Sequence, residues 1–438
     1  MVFHYTPGAP NLSFLLSMLR YSQYVEVGNP LGERKRTMSN SPSLYELRGV
    51  SASKPDVHAA IQNLDPGLYP GAFCTILPDD LAESPDHCII QHADGPGTKL
   101  ALAYLAWKIT GDLNVWKGIP RDGMVMNVDD AGCVGALGPF IVSMTIARNK
   151  HLIHGEIINA LIEGCREFCE FLTGLGFPCH FSKSGETADV GDLVRTMTMD
   201  NTITCRFPRA NVIDAGRITA PGLIVGFSST GQAAWEDTPN SGIGSNGFTN
   251  ARHDTFYPGY RWRYTETYAP ETPLGIIYRG PYRIHNPLPE DPRFTIGSAL
   301  LSPTRTYLPL IGKLVRDIGP RHIKGIIHCS GGGQTKIGKF GQPGIVYVKN
   351  NLFPVPPVFQ MLQRVSTMPQ YDMYETYNMG HRLEAVVEEQ VVADACIDIA
   401  AECGIEAQII GEVTRNLENP HARKVVIKIA NDEFSYAF

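Results

Sequence analysis

Asp94-Gly95-Pro96-Gly97-Thr98-Lys99 constrains this chain more than any other segment. An apolar run, Cys88-Ile89-Ile90, leads into it and a helical pattern, Leu100–Trp107, leaves it. The order is therefore strand, tight turn, helix. The turn carries an aspartate, two glycines, a hydroxyl and a lysine. A carboxylate holds a divalent cation, glycines admit a ligand close to the backbone, and a helix N-terminus with a lysine attracts phosphate. A surface hairpin ending in a capped helix would show the same residues. The turn gains meaning only from its fellows downstream.

The rest of the chain alternates strand-like and helix-like segments. Strands are expected at Cys88–His92, Met124–Val128, Phe140–Ala147, Thr196–Arg206, Leu223–Ser228, Ile323–Ile327, Gln408–Val413 and Lys424–Ile429. Gly155–Leu175 is the clearest helix, because Ile158, Leu161, Ile162, Cys165, Phe168, Cys169 and Leu172 recur at helical spacing. Tyr307–Ile318 and Ala385–Cys403 read as further helices. Trp235–Pro292, rich in Pro, Gly, Tyr and Arg, reads as long loops over the surface or at a site. Alternating types with mixed strands give an α/β, or mixed α+β, architecture. The divisions expected are a disordered extension over 1–43, an ATP- and metal-binding domain over 44–207, and a C-terminal domain over 208–438.

A net charge of −6 gives no electrostatic footprint for nucleic acid. No apolar run reaches the length of a membrane span. Ten cysteines show no paired metal spacing. Cys165 and Cys169 share an apolar helix face and read as buried thiols, so a reducing, cytoplasmic setting is expected.

Further acidic or glycine-rich turns follow the first. Asp129-Asp130 closes the apolar run Met124–Val128, with Asp122 ahead of it. Adjacent carboxylates there imply a cation, or else a solvated turn with one aspartate capping. Ser184-Gly185-Glu186-Thr187-Ala188-Asp189 offers two acids and two hydroxyls, and Gly242–Gly247 includes Ser245-Asn246. His328-Cys329-Ser330-Gly331-Gly332-Gly333 follows an apolar strand. None matches the phosphate-loop or dinucleotide fingerprints. Acidic and glycine turns with few nucleophiles suit phosphoryl transfer, where positioning and charge neutralisation supply most of the catalysis.

In this order the segments resemble the phosphoribosylformylglycinamidine cyclo-ligase (aminoimidazole ribonucleotide synthetase) family. Asp94–Lys99 is similar to its D-G-V-G-T-K, and Val128-Asp129-Asp130 with Gly135-Ala136 to V-N-D…G-A. Gly185–Asp189 resembles G-E-T-A-E, Ser245-Asn246-Gly247 resembles S-N-G-Y, and Leu301–Arg305 resembles L-A-P-T-R. His328–Gly333 resembles H-[IL]-T-G-G-G, and Tyr377–Gly380 resembles F-N-M-G.

The resemblance implies a two-domain fold and a homodimer in which N-terminal strands of both chains form a central barrel. It implies that ATP activates the formamide oxygen of formylglycinamidine ribonucleotide, after which the imidazole ring closes and phosphate leaves. It implies a catalytic set of Asp94, Lys99, Asp130, Glu186 and His328, with Mg²⁺ on Asp94, Asp130 and Glu186. Gly95, Gly97, Thr98, Thr187, Asn246, Gly331, Gly332, Gly333 and Asn378 would line the nucleotide and substrate cleft. The alternatives are another ATP-dependent enzyme of the superfamily, of kinase or dehydratase type, and a non-catalytic nucleotide-binding paralogue.

The chain departs from the pattern at several points. The upstream glycine loop is shortened to Gly67–Gly71, Gly244 stands where the family carries a histidine, Asp129 replaces asparagine and Ser184 replaces glycine. His381-Arg382-Leu383-Glu384 follows the F-N-M-G-like turn, where the family continues with small and apolar residues. His381 and Arg382 read as surface residues rather than as replacement cationic contacts.

Overall fold

The computed structural model describes residues 43–51 and 54–438. The extension expected over 1–43 lies outside the described residues, apart from Ser43. No described helix is long and apolar enough to cross a membrane.

Two sheets carry the fold. The first joins β1 (Leu77–Asp79), β2 (Ser84–Asp94), β3 (Phe140–Arg148), β4 (Cys179–Phe181), β5 (Glu186–Asp189) and β6 (Met197–Pro208). Their order is β1-β2-β6-β3-β4, and β5 pairs with the far end of β3. Strand β6 alternates strictly: Met197, Met199, Asn201, Ile203, Cys205 and Phe207 are buried, while Thr198, Asp200 and Arg206 face outward. One face of this sheet is thus packed and the other open, as period-two patterning dictates. Helices α1 (Lys99–Thr110), α2 (Asn114–Cys133) and α3 (Gly155–Gly174) belong to this lobe.

The second sheet runs β13-β12-β9-β11-β7-β10-β8. Its strands are β7 (Gly222–Ser228), β8 (Ile323–His328), β9 (Ile345–Lys349), β10 (His381–Val387), β11 (Ala407–Arg415), β12 (Lys424–Ile429) and β13 (Asp432–Ala437). Pairing is antiparallel except for β12 with β9. Helices α4 (Phe248–Thr255), α5 (Leu308–Lys313) and α6 (Gln390–Glu402) accompany it.

Three sequence expectations change. Met124–Val128 is not a strand but the middle of α2, which is buried without interruption from Asp122 to Cys133. A helix enclosed on every side has no polar face, so its period is invisible in the sequence. The helix expected over Ala385–Cys403 divides into the end of β10 and then α6, because the Ala385-Val386-Val387 run lies in a strand buried on both faces. Tyr307–Ile318 is helical as expected, α5 passing directly into a π turn over Leu314–Ile318. Trp235–Pro292 is packed rather than draped over the surface. Its Tyr260, Tyr264, Tyr268 and Tyr278 are buried, and its Asp254 forms a buried 2.6 Å ion pair with Arg48. All ten cysteines are buried and unbridged, Cys165 and Cys169 among them.

Candidate active site

Helix α2 distributes its polar groups to two neighbours. Gly123, Asn127 and Asp130 recur at i, i+4 and i+7, one helical face, and this face meets the end of β2. Asn127 Nδ2 donates to the Asp94 carbonyl oxygen at 3.0 Å and to the Gly123 carbonyl oxygen at 2.9 Å. Its Oδ1 lies 3.0 Å from His92 Nδ1. Asp122 and Asp129, seven apart, meet the segment Ser302–Tyr307 instead. Asp129 accepts from Thr306 Oγ1 at 2.6 Å and from the Tyr307 amide at 2.8 Å. Burial pushes its carboxyl pKa up, against the lowering influence of His328 and these hydrogen bonds.

Asp122 is the anchor of Lys99. The lysine is fully buried. Its Nζ donates to Asp122 Oδ1 at 2.7 Å and to the carbonyl oxygens of Ser302 at 2.8 Å and Gly244 at 3.2 Å. An ammonium has three donors, and all three are engaged. Burial lowers the Lys99 pKa, and Asp122 pulls it back up. Lys99 therefore clamps three loops together. Thr98 Oγ1 lies 3.0 Å from Thr249 Oγ1 at the start of α4. A side chain at Gly95 would meet Asp200 Oδ1 at 2.3 Å, and Gly97 sits at φ +56°, so both glycines are required by geometry.

The lobes meet at Asp130 and His328. Asp130 Oδ1 is 2.6 Å from His328 Nδ1. Arg382 Nε donates to His328 Nε2 at 3.2 Å. These contacts assign His328 a proton on Nδ1 and a lone pair on Nε2. Arg382 also donates to the Arg305 carbonyl oxygen and lies 5.3 Å from the Tyr307 ring centroid. Arg382 and His381 are 3% and 1% exposed, so neither is a surface residue, which corrects the sequence reading. A side chain at Gly244 would meet Arg382 Nη1 at 3.2 Å. The glycine leaves room for the guanidinium.

Beyond His328, Gly331, Gly332 and Gly333 stand at φ +55°, +113° and +49°. Their amides carry no hydrogen bond among the described residues. A side chain at Gly333 would strike the Tyr377 carbonyl oxygen at 2.4 Å, whereas Gly331 faces open space. Asn378 fixes the opposite rim. Its Nδ2 donates to the Gly242 carbonyl oxygen at 2.8 Å, and its Oδ1 accepts from Ser229 Oγ at 2.9 Å. Asn246 lies half-buried on the loop between.

Asp94 shares the cleft with two more acids. Desolvation raises its pKa, and repulsion from Asp130 and Asp200 adds to this, opposed by the Gly95 amide and His92. Asp130 and Asp200 both repel the Asp94 carboxylate, and a divalent cation, which prefers hard oxygen ligands, would offset that repulsion. Glu186 and Thr187 do not join them. They lie on exposed β5, and β6 and β3 stand between that strand and β2, roughly 14 Å at a strand spacing of about 4.8 Å. Sequence reasoning missed Asp200, although a carboxylate in mid-strand was visible. It also missed Lys336, whose Nζ lies 5.2 Å from the Phe73 ring centroid, close to Gly332.

The family described as AIR synthase related protein matches in both parts, the N-terminal domain over residues 74–204 and the C-terminal domain over 285–419. The chain belongs to the AIR synthase related family. A phosphoribosylformylglycinamidine cyclo-ligase from Methanocaldococcus jannaschii is 27% identical over 347 residues, 78% of this chain and 84% of the relative. A chain of the HypE-HypF complex superposes with a TM-score of 0.50 at 14% identity, over 88% of this chain and 99% of that one. T. maritima PurL complexed with FGAR aligns over 80% of this chain with a TM-score of 0.46 and 14% identity. This AIR synthase related chain covers only 45% of that PurL chain.

Proposed function

We propose that the protein closes the imidazole ring of aminoimidazole ribonucleotide from formylglycinamidine ribonucleotide, using ATP and Mg²⁺, in de novo purine synthesis. The observation that carries the reading is the Asp130–His328 hydrogen bond. It sets the acidic helix of one lobe against the glycine turn of the other, in a chain whose two parts both match the family. Phosphorylation by ATP turns the formamide oxygen into a leaving group.

Asp94 and Asp130 hold the cation, with Asp200 adding negative charge beside them. The free amides of Gly331–Gly333, with Lys336 near, receive phosphate oxygens. Thr98, Gly95, Gly97 and Asn246 line the nucleotide cleft, and Lys99 and Asn378 hold its walls. His328 keeps its Nδ1 proton on Asp130 and its Nε2 lone pair on Arg382, so the neutral ring orients the carboxylate without competing for phosphate. Glu186 and Thr187 mark the far rim.

We place the reaction in a homodimer in the cytoplasm. The open face of the first sheet supports the dimer, since Ile141 on it is 61% exposed. Ten unbridged thiols support a reducing compartment.

The test is ADP release from Mg·ATP. Release that requires formylglycinamidine ribonucleotide, and that vanishes in Asp94→Asn while the fold persists, supports the proposal. Release with a different acceptor selects a kinase or dehydratase relative, and nucleotide binding without turnover selects a paralogue that only binds.

A further inference from the structure

Gly331, Gly332 and Gly333 hold three positive φ angles in succession, a conformation with a high entropic cost to order. The flanks supply the order. Upstream, the Cys329 amide donates to the Arg382 carbonyl oxygen at 2.7 Å. Downstream, Gln334 is gripped by a buried network that the proposed reaction leaves unused. We propose that Lys349 is a positioning residue of the phosphate-receiving loop: through Gln334 it holds Gly331–Gly333 and the Asn378 turn in one fixed relation. The inference rests on the reading of that loop as the receiver of phosphate oxygens.

Lys349 ends β9 and Glu384 lies on β10, with β11 and β7 between them in the sheet. Their side chains cross that gap and pair, and both residues are fully buried. The Lys349 ammonium has two more donors. One goes to the Gln334 carbonyl oxygen at 2.6 Å, and the other faces Gln334 Oε1 at 3.4 Å. The oxygen end of the Gln334 amide thus meets the cation, which turns its nitrogen toward the opposite rim. There Nε2 donates to the carbonyl oxygens of Asn378 and, at 3.1 Å, of His381. His381 Nδ1 lies 3.2 Å from the same nitrogen, and His381 Nε2 is 2.8 Å from Glu384 Oε1. Gln334 and His381 are each 1% exposed, so bulk solvent does not reach the circuit.

Stability alone does not account for charge at this place. Buried ion pairs are often replaceable by apolar groups at little cost in stability. A cation with three directed donors fixes what an apolar group cannot, because it sets the carbonyl and the side chain of one residue together. With both flanks pinned, the free glycine amides are in place before phosphate arrives, and the cost of ordering them is not charged against binding.

Hydrogen exchange and calorimetric titration of the full chain test the inference. The probes are Mg·ADP and, separately, ribose 5-phosphate. One of them should slow exchange of the Gly331–Gly333 amides in the wild type, which identifies the phosphate that the loop receives. Lys349→Met/Glu384→Gln removes both charges, keeps the volume and leaves His381 an acceptor. Gln334→Met removes the side-chain amide and leaves the Lys349–Glu384 pair. Each should weaken the protective probe roughly tenfold, the loss expected if the competent loop falls to about one-tenth occupancy. Gly164→Ala, a destabilised control in the other lobe, should keep wild-type affinity. Wild-type affinity in either folded variant overturns the proposal, as does an equal loss in Gly164→Ala. A wild-type loop that neither probe protects overturns the loop's role itself, and the proposal with it. Binding is read without turnover. A chain that passes these tests yet releases no ADP refutes the proposed ring closure and leaves Lys349 in its role.

Discussion

Replacing Lys99 with methionine strands the Asp122 carboxylate in a buried site. Breaking one half of such a pair costs about 3–5 kcal/mol. Lys99→Met should therefore lower the urea midpoint strongly, while folded molecules keep near-wild-type nucleotide affinity. A variant of normal stability that no longer binds ATP would return Lys99 to the phosphates. The sequence showed a lysine at a helix start beside a glycine turn, but nothing local to the turn reveals that its four-carbon stem folds inward toward Asp122. The roles proposed for Asp94, Asp130, His328 and Gly331–Gly333 need no distant partner to suggest them, because they rest on short side chains or on backbone. Glu384 gives a pH signature. Lys349 and His381 hold its pKa down to about 2 against the upward pull of burial. A depressed carboxyl contributes stability that is complete above its unfolded value near 4.5 and is lost as pH falls toward 2. Urea midpoints measured across that window should fall more steeply for the wild type than for Glu384→Gln.

Glycines set the packing of the long helices. A methyl at Gly164 of α3 would lie 2.3 Å from the Lys117 carbonyl oxygen on α2. Overpacking of this kind costs about 1–3 kcal/mol, so Gly164→Ala should lower the thermal midpoint, whereas Gly155→Ala, which meets nothing within 4 Å, should leave it nearly unchanged. Calorimetry on both variants checks the contrast. The two helices also differ in how far the sequence disclosed them. Helix α3 has a wet face, so Ile158, Leu161, Cys165 and Leu172 print a period. Helix α2 is enclosed and carries Pro120, three glycines and four buried polar residues, Asp122, Asn127, Asp129 and Asp130. Its Met124–Val128 stretch mimics a buried strand, and only tertiary surroundings make it a helix.

At the scale of the whole molecule, the proposed dimer would bury the open face of the first sheet. Ile141 lies on it between buried Phe140 and Val142. A glutamate there opposes burial against a second copy, so Ile141→Glu should convert a dimer to a monomer in light scattering, with the secondary structure intact. A variant that stays dimeric locates the interface elsewhere. The alternation of strands and helices was legible from the apolar runs, but β9, β10 and β13 of the second sheet were not. The joining of the lobes was not, because Arg382, His328 and Asp130 are separated by up to about 250 residues of chain and meet only after both sheets have formed.

The concealment of every thiol has a practical meaning for this molecule. With ten cysteines all interior, the native surface offers a maleimide reagent nothing to attack, while a fully unfolded chain offers ten targets. Mass counting after a labelling pulse would therefore register opening of the structure against a silent background. A single cysteine introduced at an exposed position would be the one site to carry a dye.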